Sequence, residues 1–355
     1  MNDLGSLVQQ TADRLAGPQV GVVVAGLARG ATEIRGAGRT GPGPAGGRPG
    51  PDTLFEIGSV TKVFTSLALA RLTLAGTVTL DEPLADLLAD ALPPGVTVPT
   101  RGPEPITLRH LATHTSGLPR LPAGMLLSSL LTPNKPDPYA HCTPEWLLAS
   151  LARTKVRTAP GRSFRYSNLG AGLLGLALAH RAGLDYGDLV RREVCEPLGL
   201  TDTVLAPDAG QTARLAPGHT AGGRPVPGWN LAGLAGAGAL KSTAADLAVL
   251  LRAQLATGTD EAPPLGPAIA LTREVRHRVN PVAWMHLGWL GHRLHTRQGG
   301  HLQIWHNGGT GGYRSFTAFD PDKQVGAIVL ANTRRPVDTP AVHLLRTLQT
   351  THAHG

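Results

Sequence analysis

Ser59 and Lys62 are the residues whose types and spacing most directly support chemistry in this chain. They stand three positions apart within residues 55–65, where an apolar extended run ends at Gly58 and apolar residues at helical spacing follow. The pattern predicts a helix that begins at the serine. Backbone N–H groups at a helix N-terminus favour developing negative charge, and a lysine with a lowered pKa one turn later can accept the hydroxyl proton. The pair therefore predicts an activated serine nucleophile.

The alternative interpretation of this spacing is an exposed helix start. The chain is poor in lysine, and no serine other than Ser59 has a lysine three positions later. The neighbours of Lys62 are apolar, which is unusual for a solvated surface. Both observations favour the catalytic interpretation.

Tyr166 and Asn168 form a second candidate group, after a turn at residues 160–165. In an extended segment, residues two positions apart point the same way. A tyrosine beside a lysine can pass protons, and an asparagine can bind a substrate carbonyl. The alternative is an aromatic residue that packs at a helix entrance, with the asparagine as a cap.

His306, Asn307, Gly308 and Gly309 form a third candidate group, at the end of a predicted strand. The two glycines would let a ligand lie close to the backbone, and the N–H of Gly309 could stabilise an oxyanion. The alternative is a glycine-rich hairpin with a passive histidine.

Two further patterns are rejected as binding motifs. The glycines of residues 170–175 match a dinucleotide fingerprint by letter, but no apolar strand precedes them, so we predict close helix packing. His110 and His114, like His292 and His295, lack the glutamate of a zinc-hydrolase helix and are predicted to be structural or surface histidines. The sequence therefore predicts no metal and no cofactor.

Composition limits the classes of partner. The 355 residues carry a net charge of +8, but the basic residues are scattered and aromatic residues make up only 4%. Stacking platforms for nucleic acid are therefore not expected. We find no secretion signal and no apolar run that could span a bilayer, and Cys142 and Cys195 have no metal or redox spacing. We expect a cytoplasmic protein that binds small molecules, with no nucleic-acid or membrane partner; the oligomeric state stays open.

Strand patterns at both ends of the chain must position these groups. The following strands are predicted: 20–27, 32–39, 54–57, 286–292, 302–306, 313–319 and 324–332. Helices are predicted at 59–75, 82–91, 107–113, 144–153, 168–182, 185–195, 243–256 and 338–350. The expected fold is α/β of the α+β type, with one antiparallel sheet built from both chain ends and flanked by helices. Residues 1–80 and 240–355 would form this sheet domain, and residues 81–239 an inserted, mainly helical domain.

The long, proline-bearing connection between Gly117 and Cys142 has two interpretations. A connection of this length commonly has a role, such as a lid over a site. The alternative is a plain surface insertion.

Five segments together resemble the serine β-lactamase and penicillin-binding-protein superfamily, most closely its class C-related, esterase-like branch. These segments are residues 57–62, 108–119, 166–168, 197–200 and 306–308. The resemblance covers most of the chain, with the family's order and spacing.

The resemblance implies roles for the candidate residues. Ser59 would be the acylated nucleophile, Lys62 its proton acceptor, and Tyr166 the group that shuttles protons to the leaving group and activates the deacylating water. Asn168 would hold the ester or amide of the substrate, and His306 would line the opposite wall. The backbone N–H groups of Ser59 and Gly309 would form the oxyanion hole.

Two departures from the family pattern shape the functional prediction. Many β-lactamases carry a lysine where this chain has His306, and the superfamily's esterases and peptidases resemble this chain more closely there. A secretion signal is also missing. We therefore predict a serine hydrolase that acts on esters or amides of small molecules. The alternatives are an acyltransferase, a β-lactamase or D,D-peptidase, and a non-catalytic protein that traps ligands.

Overall fold

The structure is a computed structural model that describes residues 3–41, 46–125, 137–258 and 263–351. The described residues form twelve strands: β1 Gly21–Ala28, β2 Ala31–Gly38, β3 Phe55–Glu56, β4 Gly218–His219, β5 Pro225–Val226, β6 Lys241–Ser242, β7 Arg276–Asn280, β8 Ala283–His286, β9 Leu290–Arg293, β10 Leu302–Gly309, β11 Arg314–Asp320 and β12 Val325–Ala331. Eight of them make one antiparallel sheet in the order β2-β1-β12-β11-β10-β9-β8-β7. Two-stranded pairs join β3 to β6 and β4 to β5.

The described residues include five helices of 13 to 15 residues: α1 Leu4–Ala16, α2 Thr61–Leu74, α3 Asn168–Ala182, α4 Ala244–Ala256 and α5 Asp338–Thr351. Shorter α-helices span Leu84–Leu87, Leu108–Ala112, Pro144–Ala149, Tyr186–Val190, Glu196–Leu198, Ala209–Arg214, Ala235–Gly238 and Gly266–Glu274. A π-helix spans Arg191–Cys195, and 3-10 turns span Gly58–Val60, Ser150–Arg153, Ala232–Leu234 and Thr296–Gln298. Across the described helices, no apolar stretch reaches the length that a bilayer span needs.

The centre of the sheet is covered on both faces. Every residue of β1 and β12 is buried, which explains why both strands are continuously apolar rather than alternating. Helices α1 and α5 pack on one face through residues such as Val8 and Leu344, whereas α2 and α4 pack on the other. The predicted fold class, a sheet from both chain ends flanked by helices, is confirmed.

The predicted strand at 286–292 is wrong. Residues Leu287, Gly288 and Trp289 form the turn between β8 and β9, and β7 was not predicted at all. Gly288 has φ +74°, which the turn requires, while Leu287 and Trp289 are buried. An apolar turn has the composition of a strand, so hydropathy alone could not distinguish the two.

Helix α3 lies at the centre of the helical region and packs through its glycines. A Cβ atom on Gly175 would lie 2.8 Å from the Cα of Gly236, and one on Gly172 would lie 2.5 Å from Leu234. The interpretation of the 170–175 glycines as a packing feature is confirmed. The proposed domain boundaries at 80/81 and 239/240 stay a prediction.

The predicted lid, residues 117–142, lies partly outside the described residues, because residues 126–136 are not described. The lid therefore stays a prediction.

Candidate active site

Ser59 lies in a 3-10 turn, Gly58–Val60, that leads directly into α2. Strand contacts hold the residue before this turn: the N–H of Ile57 donates to the carbonyl of Leu240 at 3.0 Å, and the Ser315 hydroxyl donates to the carbonyl of Ile57 at 2.7 Å. The helix was predicted to begin at the serine, and the helical turn begins one residue earlier. Ser59 is thus fixed at a helix N-terminus whose first N–H groups need partners from outside the helix.

Lys62 is buried under Ser59, with 2% of its surface exposed. Its Nζ lies 3.1 Å from Ser59 Oγ, 3.0 Å from Asn168 Oδ1 and 2.6 Å from the carbonyl oxygen of Ala237. Burial lowers the Lys62 pKa because it penalises the charged form, and the positive charge of Arg120 acts in the same direction; Tyr166 opposes both. A lysine with a lowered pKa that contacts the serine hydroxyl can accept its proton.

Several charged and aromatic side chains surround Tyr166. Lys62 Nζ is 4.9 Å from the centre of its ring, and the guanidinium carbon of Arg120 is 5.4 Å away on the ring face. The rings of His114 and His306 lie with their centres 4.5 Å and 6.3 Å from it. Tyr166 is therefore placed to exchange protons near Lys62 and to interact with cations.

The two histidines beside Tyr166 are neutral and of opposite tautomer. His306 Nδ1 lies 2.7 Å from the carbonyl of Asn307, so Nδ1 donates and Nε2 keeps its lone pair. His114 Nδ1 accepts from the N–H of Ser167 at 3.2 Å, so its Nε2 carries the proton. Burial, with the charge of Lys62, lowers the pKa of His306 to about 3 and that of His114 well below its ordinary value.

Gly308 and Gly309 bring the end of β10 against the nucleophile. A Cβ atom on Gly308 would lie 2.0 Å from the carbonyl oxygen of Ile57 and 3.0 Å from Ser59 N, and one on Gly58 would lie 2.5 Å from Gly309 N. This approach is possible only because Gly58 and Gly308 have no side chain. The backbone N–H groups of Ser59 and Gly309 are thereby brought to one place, as an oxyanion hole requires.

Both candidate asparagines have fixed side chains. Asn307 Nδ2 donates to Asp338 Oδ1 at 2.5 Å, at the start of α5. Asn168 begins α3, and its backbone N–H donates to the carbonyl of Arg120 at 2.9 Å while its side chain accepts from Lys62. Each asparagine therefore connects the site to a long helix.

These groups surround a cleft of about 500 Å³. Its polar lining includes Ser59, Tyr166, Asn168, Asn307, Gly308, Gly309, Thr310, Arg120, Arg314, Arg334 and Asp338. Its apolar lining includes Leu121, Tyr139, Trp229, Leu231, Leu234 and Leu290. The cleft is thus large enough for a small molecule and has both polar and apolar lining.

The structure brings the predicted residues together, with one difference in placement. Ser59, Tyr166, Asn168 and the 307–309 segment line the cleft, and Lys62 lies directly beneath it. His306, predicted to line the opposite wall, has only 1% of its surface exposed and lies behind Tyr166 instead.

Sequence reasoning missed several contributors to the site. His114 was interpreted as structural, yet it packs on the Tyr166 ring. The Ala237 carbonyl that binds Lys62 belongs to an Ala/Gly-rich stretch that carries no side-chain signal. Arg120 follows the 108–119 motif, and its position directly after that motif could have marked it. The described residues contain no group of three or more His, Cys, Asp or Glu side chains suited to hold a metal ion.

Comparisons with known proteins identify relatives over nearly the whole chain. The family model described as Beta-lactamase matches residues 8–351. The D-alanyl-D-alanine-carboxypeptidase/endopeptidase AmpH of Escherichia coli is 32% identical over 313 residues, which cover 86% of this chain and 77% of AmpH. Esterase EstB of Burkholderia gladioli is 35% identical over 161 residues, 44% of this chain and 40% of EstB.

Among solved structures, a β-lactamase/D-alanine carboxypeptidase from Yersinia pestis, complexed with citrate, superposes with a TM-score of 0.77. It is 28% identical, and the match covers 96% of this chain and 97% of that one. A class C β-lactamase from Rhodobacter sphaeroides has a TM-score of 0.78 at 24% identity, over 98% of this chain and 99% of that one. The fold is therefore shared along the full length of these proteins.

Proposed function

This chain belongs to the β-lactamase family of serine hydrolases, and we propose that it cleaves esters or amides of small molecules through an acyl-enzyme on Ser59. The observation that carries the proposal is the contact of Lys62 Nζ with Ser59 Oγ at 3.1 Å, made by a lysine whose pKa is lowered by burial. In its neutral form, a lysine amine at that distance is the base that a serine nucleophile needs.

In the acylation step, Lys62 accepts the proton of the Ser59 hydroxyl as Oγ attacks the substrate carbonyl carbon. The carbonyl oxygen becomes an oxyanion and receives hydrogen bonds from the N–H groups of Ser59 and Gly309. One such donor is worth about 10²–10³-fold in kcat. The tetrahedral intermediate then collapses, the bond to the leaving group breaks, and the proton passes through Tyr166 to the leaving oxygen or nitrogen.

In the deacylation step, the same groups act on water. Tyr166 passes its hydroxyl proton to the neutral Lys62 and takes up a proton from a water molecule as the water oxygen attacks the acyl carbon. The ester bond to Ser59 breaks, and the proton returns to Oγ. General acid–base catalysis of this kind contributes about 10²–10⁴-fold.

The cleft supports small substrates with an apolar part. Its volume of about 500 Å³ is typical of small-molecule sites, and Trp229 and Tyr139, whose ring centres lie 4.9 Å apart, provide an aromatic surface. The relatives include an esterase and a carboxypeptidase/endopeptidase, which supports ester and amide substrates without choosing between them.

Intact-protein mass spectrometry tests the nucleophile. Wild type and Ser59→Ala would each be mixed with an activated ester, a β-lactam and a fluorophosphonate. We expect an adduct on wild type that Ser59→Ala does not form, together with turnover of the ester. An adduct that persists in Ser59→Ala, or full ester hydrolysis by that variant, would overturn the proposal.

The same samples separate hydrolysis from acyl transfer. Turnover would be repeated with an amine or an alcohol at saturating concentration, and the products would be identified. We expect the free acid as the main product; an acylated acceptor as the main product would replace the hydrolase by an acyltransferase.

A further inference from the structure

The charged groups that line the cleft are mostly cationic. Arg120, Arg314 and Arg334 line it, against one carboxylate, that of Asp338. This carboxylate already accepts a hydrogen bond from Asn307, and Lys62 lies beneath the floor. Three positive groups against one negative group make the cleft attractive to anions.

Arg120 differs from the other two arginines in its place. Arg314 and Arg334 lie on the side of the cleft formed by the sheet, and Arg314 donates to the carbonyl oxygens of Thr310 and Tyr313. Arg120 lies on the opposite side, where its guanidinium faces the Tyr166 ring at 5.4 Å.

The backbone of Arg120 is fixed while its side chain is exposed. Its carbonyl oxygen accepts the N–H groups of Asn168 at 2.9 Å and of Leu169 at 3.2 Å, at the start of α3. The residue itself is exposed at the cleft. The guanidinium therefore starts from a defined place beside the catalytic groups and is exposed to the cleft.

No carboxylate among the described residues lies within ion-pair distance of Arg120. Residues 126–136, which follow it in the chain, contain no Asp or Glu at all. An arginine at a substrate cleft that has no ion pair with another described residue can receive a planar anion, because its fork of N–H donors matches a carboxylate.

We propose that Arg120 is a specificity-determining residue that binds an acidic group of the substrate on the Tyr166 side of the cleft, so that the enzyme prefers anionic esters or amides to neutral ones of equal size. This inference rests on the proposed hydrolase function and adds the substrate class. The alternative role of Arg120 is purely electrostatic, since its charge also lowers the Lys62 pKa. That role would change the rate for every substrate alike.

Matched substrates separate these two roles. The neutral reference is para-nitrophenyl hexanoate. The first acidic ester is the mono-para-nitrophenyl ester of adipic acid, in which a carboxylate replaces the terminal methyl group of the hexanoate chain. The second is the hexanoate ester of a nitrophenol that has a carboxylate beside its nitro group, so that the acid lies on the leaving group. For each enzyme, the ratio of kcat/KM for an acidic ester to that for the neutral ester is measured. Effects that act through Lys62 cancel in this ratio, because the base is the same for both substrates.

We expect wild type to prefer at least one acidic ester, and Arg120→Gln to lower that ratio about tenfold, the loss typical of one charge-assisted pair at a partly exposed site. Arg120→Lys keeps the charge without the fork, so its ratio should lie between those of wild type and Arg120→Gln. Arg162→Gln removes one positive charge from an exposed residue that does not line the cleft, so it should keep the wild-type ratio within about twofold.

Two outcomes would overturn the inference: ratios for both acidic esters that Arg120→Gln leaves unchanged, or an equal loss in Arg162→Gln. Both are distinct from a failure of the proposed function. If none of the three esters gave turnover that depends on Ser59, the hydrolase itself would be wrong; Ser59-dependent turnover with unchanged ratios would overturn only the role of Arg120.

Discussion

The two walls of the cleft are built in different ways. On the sheet wall, the residues 307–309 belong to β10, where Gly308 pairs with Ser315 and Gly309 with Arg314 of β11. On the helical wall, Arg120, Tyr166 and Asn168 lie in loops and at a helix start. Beside Ser59, the sheet wall contributes the backbone of Gly308 and Gly309, although Arg314 and Arg334 also line this side. The helical wall contributes the side chains of Tyr166 and Asn168.

This difference matches the two chemical tasks of the site. An oxyanion hole needs donors at fixed positions, which strand register supplies without any particular side chain. Proton transfer needs titratable side chains held in place by packing. On the helical wall, His114 provides this support: its carbonyl accepts the N–H of Arg165 at 2.7 Å, its ring contacts Tyr166, and its backbone has the unusual φ of +55° for a residue other than glycine.

The largest effect is expected when the helical wall loses a side-chain function. Tyr166→Phe removes only the hydroxyl, and we expect kcat/KM to fall by about 10²–10⁴-fold with the melting temperature unchanged. Tyr139→Phe is the matched control, because Tyr139 lines the same cleft but its ring packs, tilted, against that of Trp229. Equal losses in both variants would show that the cleft needs tyrosine hydroxyls in general rather than a proton shuttle at 166.

On the sheet wall, a change should matter only when it moves the backbone. Gly308→Ala would place a Cβ atom 2.0 Å from the carbonyl of Ile57, so we expect kcat to fall by about 10²–10³-fold, with a lower melting temperature. The three nearest neighbours of a Cβ atom on Gly309 are all Arg314 side-chain atoms, with Nη1 at 2.7 Å, rather than backbone, so the loss in Gly309→Ala should be clearly smaller. Comparable kcat values for the two variants would contradict the assignment of this wall.

A smaller change tests how the helical wall sets the Lys62 pKa. The positive charge of Arg120 lowers that pKa, and the neutral amine is the active form, so kcat/KM rises as pH increases through it. Arg120→Gln should raise the Lys62 pKa and so move the acidic limb of the kcat/KM profile, the part that rises with pH, to higher pH. Arg120→Lys should keep the limb in place. The measurement is the pH profile of kcat/KM for the neutral ester, and a limb that stays fixed in Arg120→Gln would exclude the coupling.

The smallest effect concerns stability on the sheet side. Burial lowers the His306 pKa from 6.5 to about 3, so the folded protein binds fewer protons than the unfolded chain between these values. The free energy of unfolding should therefore fall as pH drops below 6.5, by up to about 1.4 kcal/mol per pH unit from this residue. Denaturant titrations of His306→Gln at several pH values should show a shallower decline; an unchanged slope would mean that His306 does not contribute.

The sequence predicts well those parts of the molecule that rest on local patterns. The run before Gly58 and the helical spacing after it locate the helix start at the predicted nucleophile within one residue. The apolar runs of β1 and β12 are recognised because these strands are buried on both faces. The hairpin around Gly288 fails for the opposite reason, since its turn is as apolar as a strand.

Local sequence patterns do not predict contacts between segments that are far apart in the chain. The Ala237 carbonyl reaches Lys62 across 175 positions of the chain, and Ser315 fixes Ile57 across 258. His114 has the composition of a structural histidine, and only the packing of residues 164–167 around it shows its contact with Tyr166. These features arise from topology, which the spacing of residues in one segment does not encode.

The pairing of β1 with β12 also sets the order of events during synthesis. Residues 21–28 leave the ribosome early, but their partner at 325–331 is made about 300 residues later. At about 5–20 residues per second, β1 waits at least 15 seconds, with one apolar edge unpaired, before the sheet can close. We therefore expect the helical region to fold first and the nascent N-terminal hairpin to be the segment most dependent on chaperones.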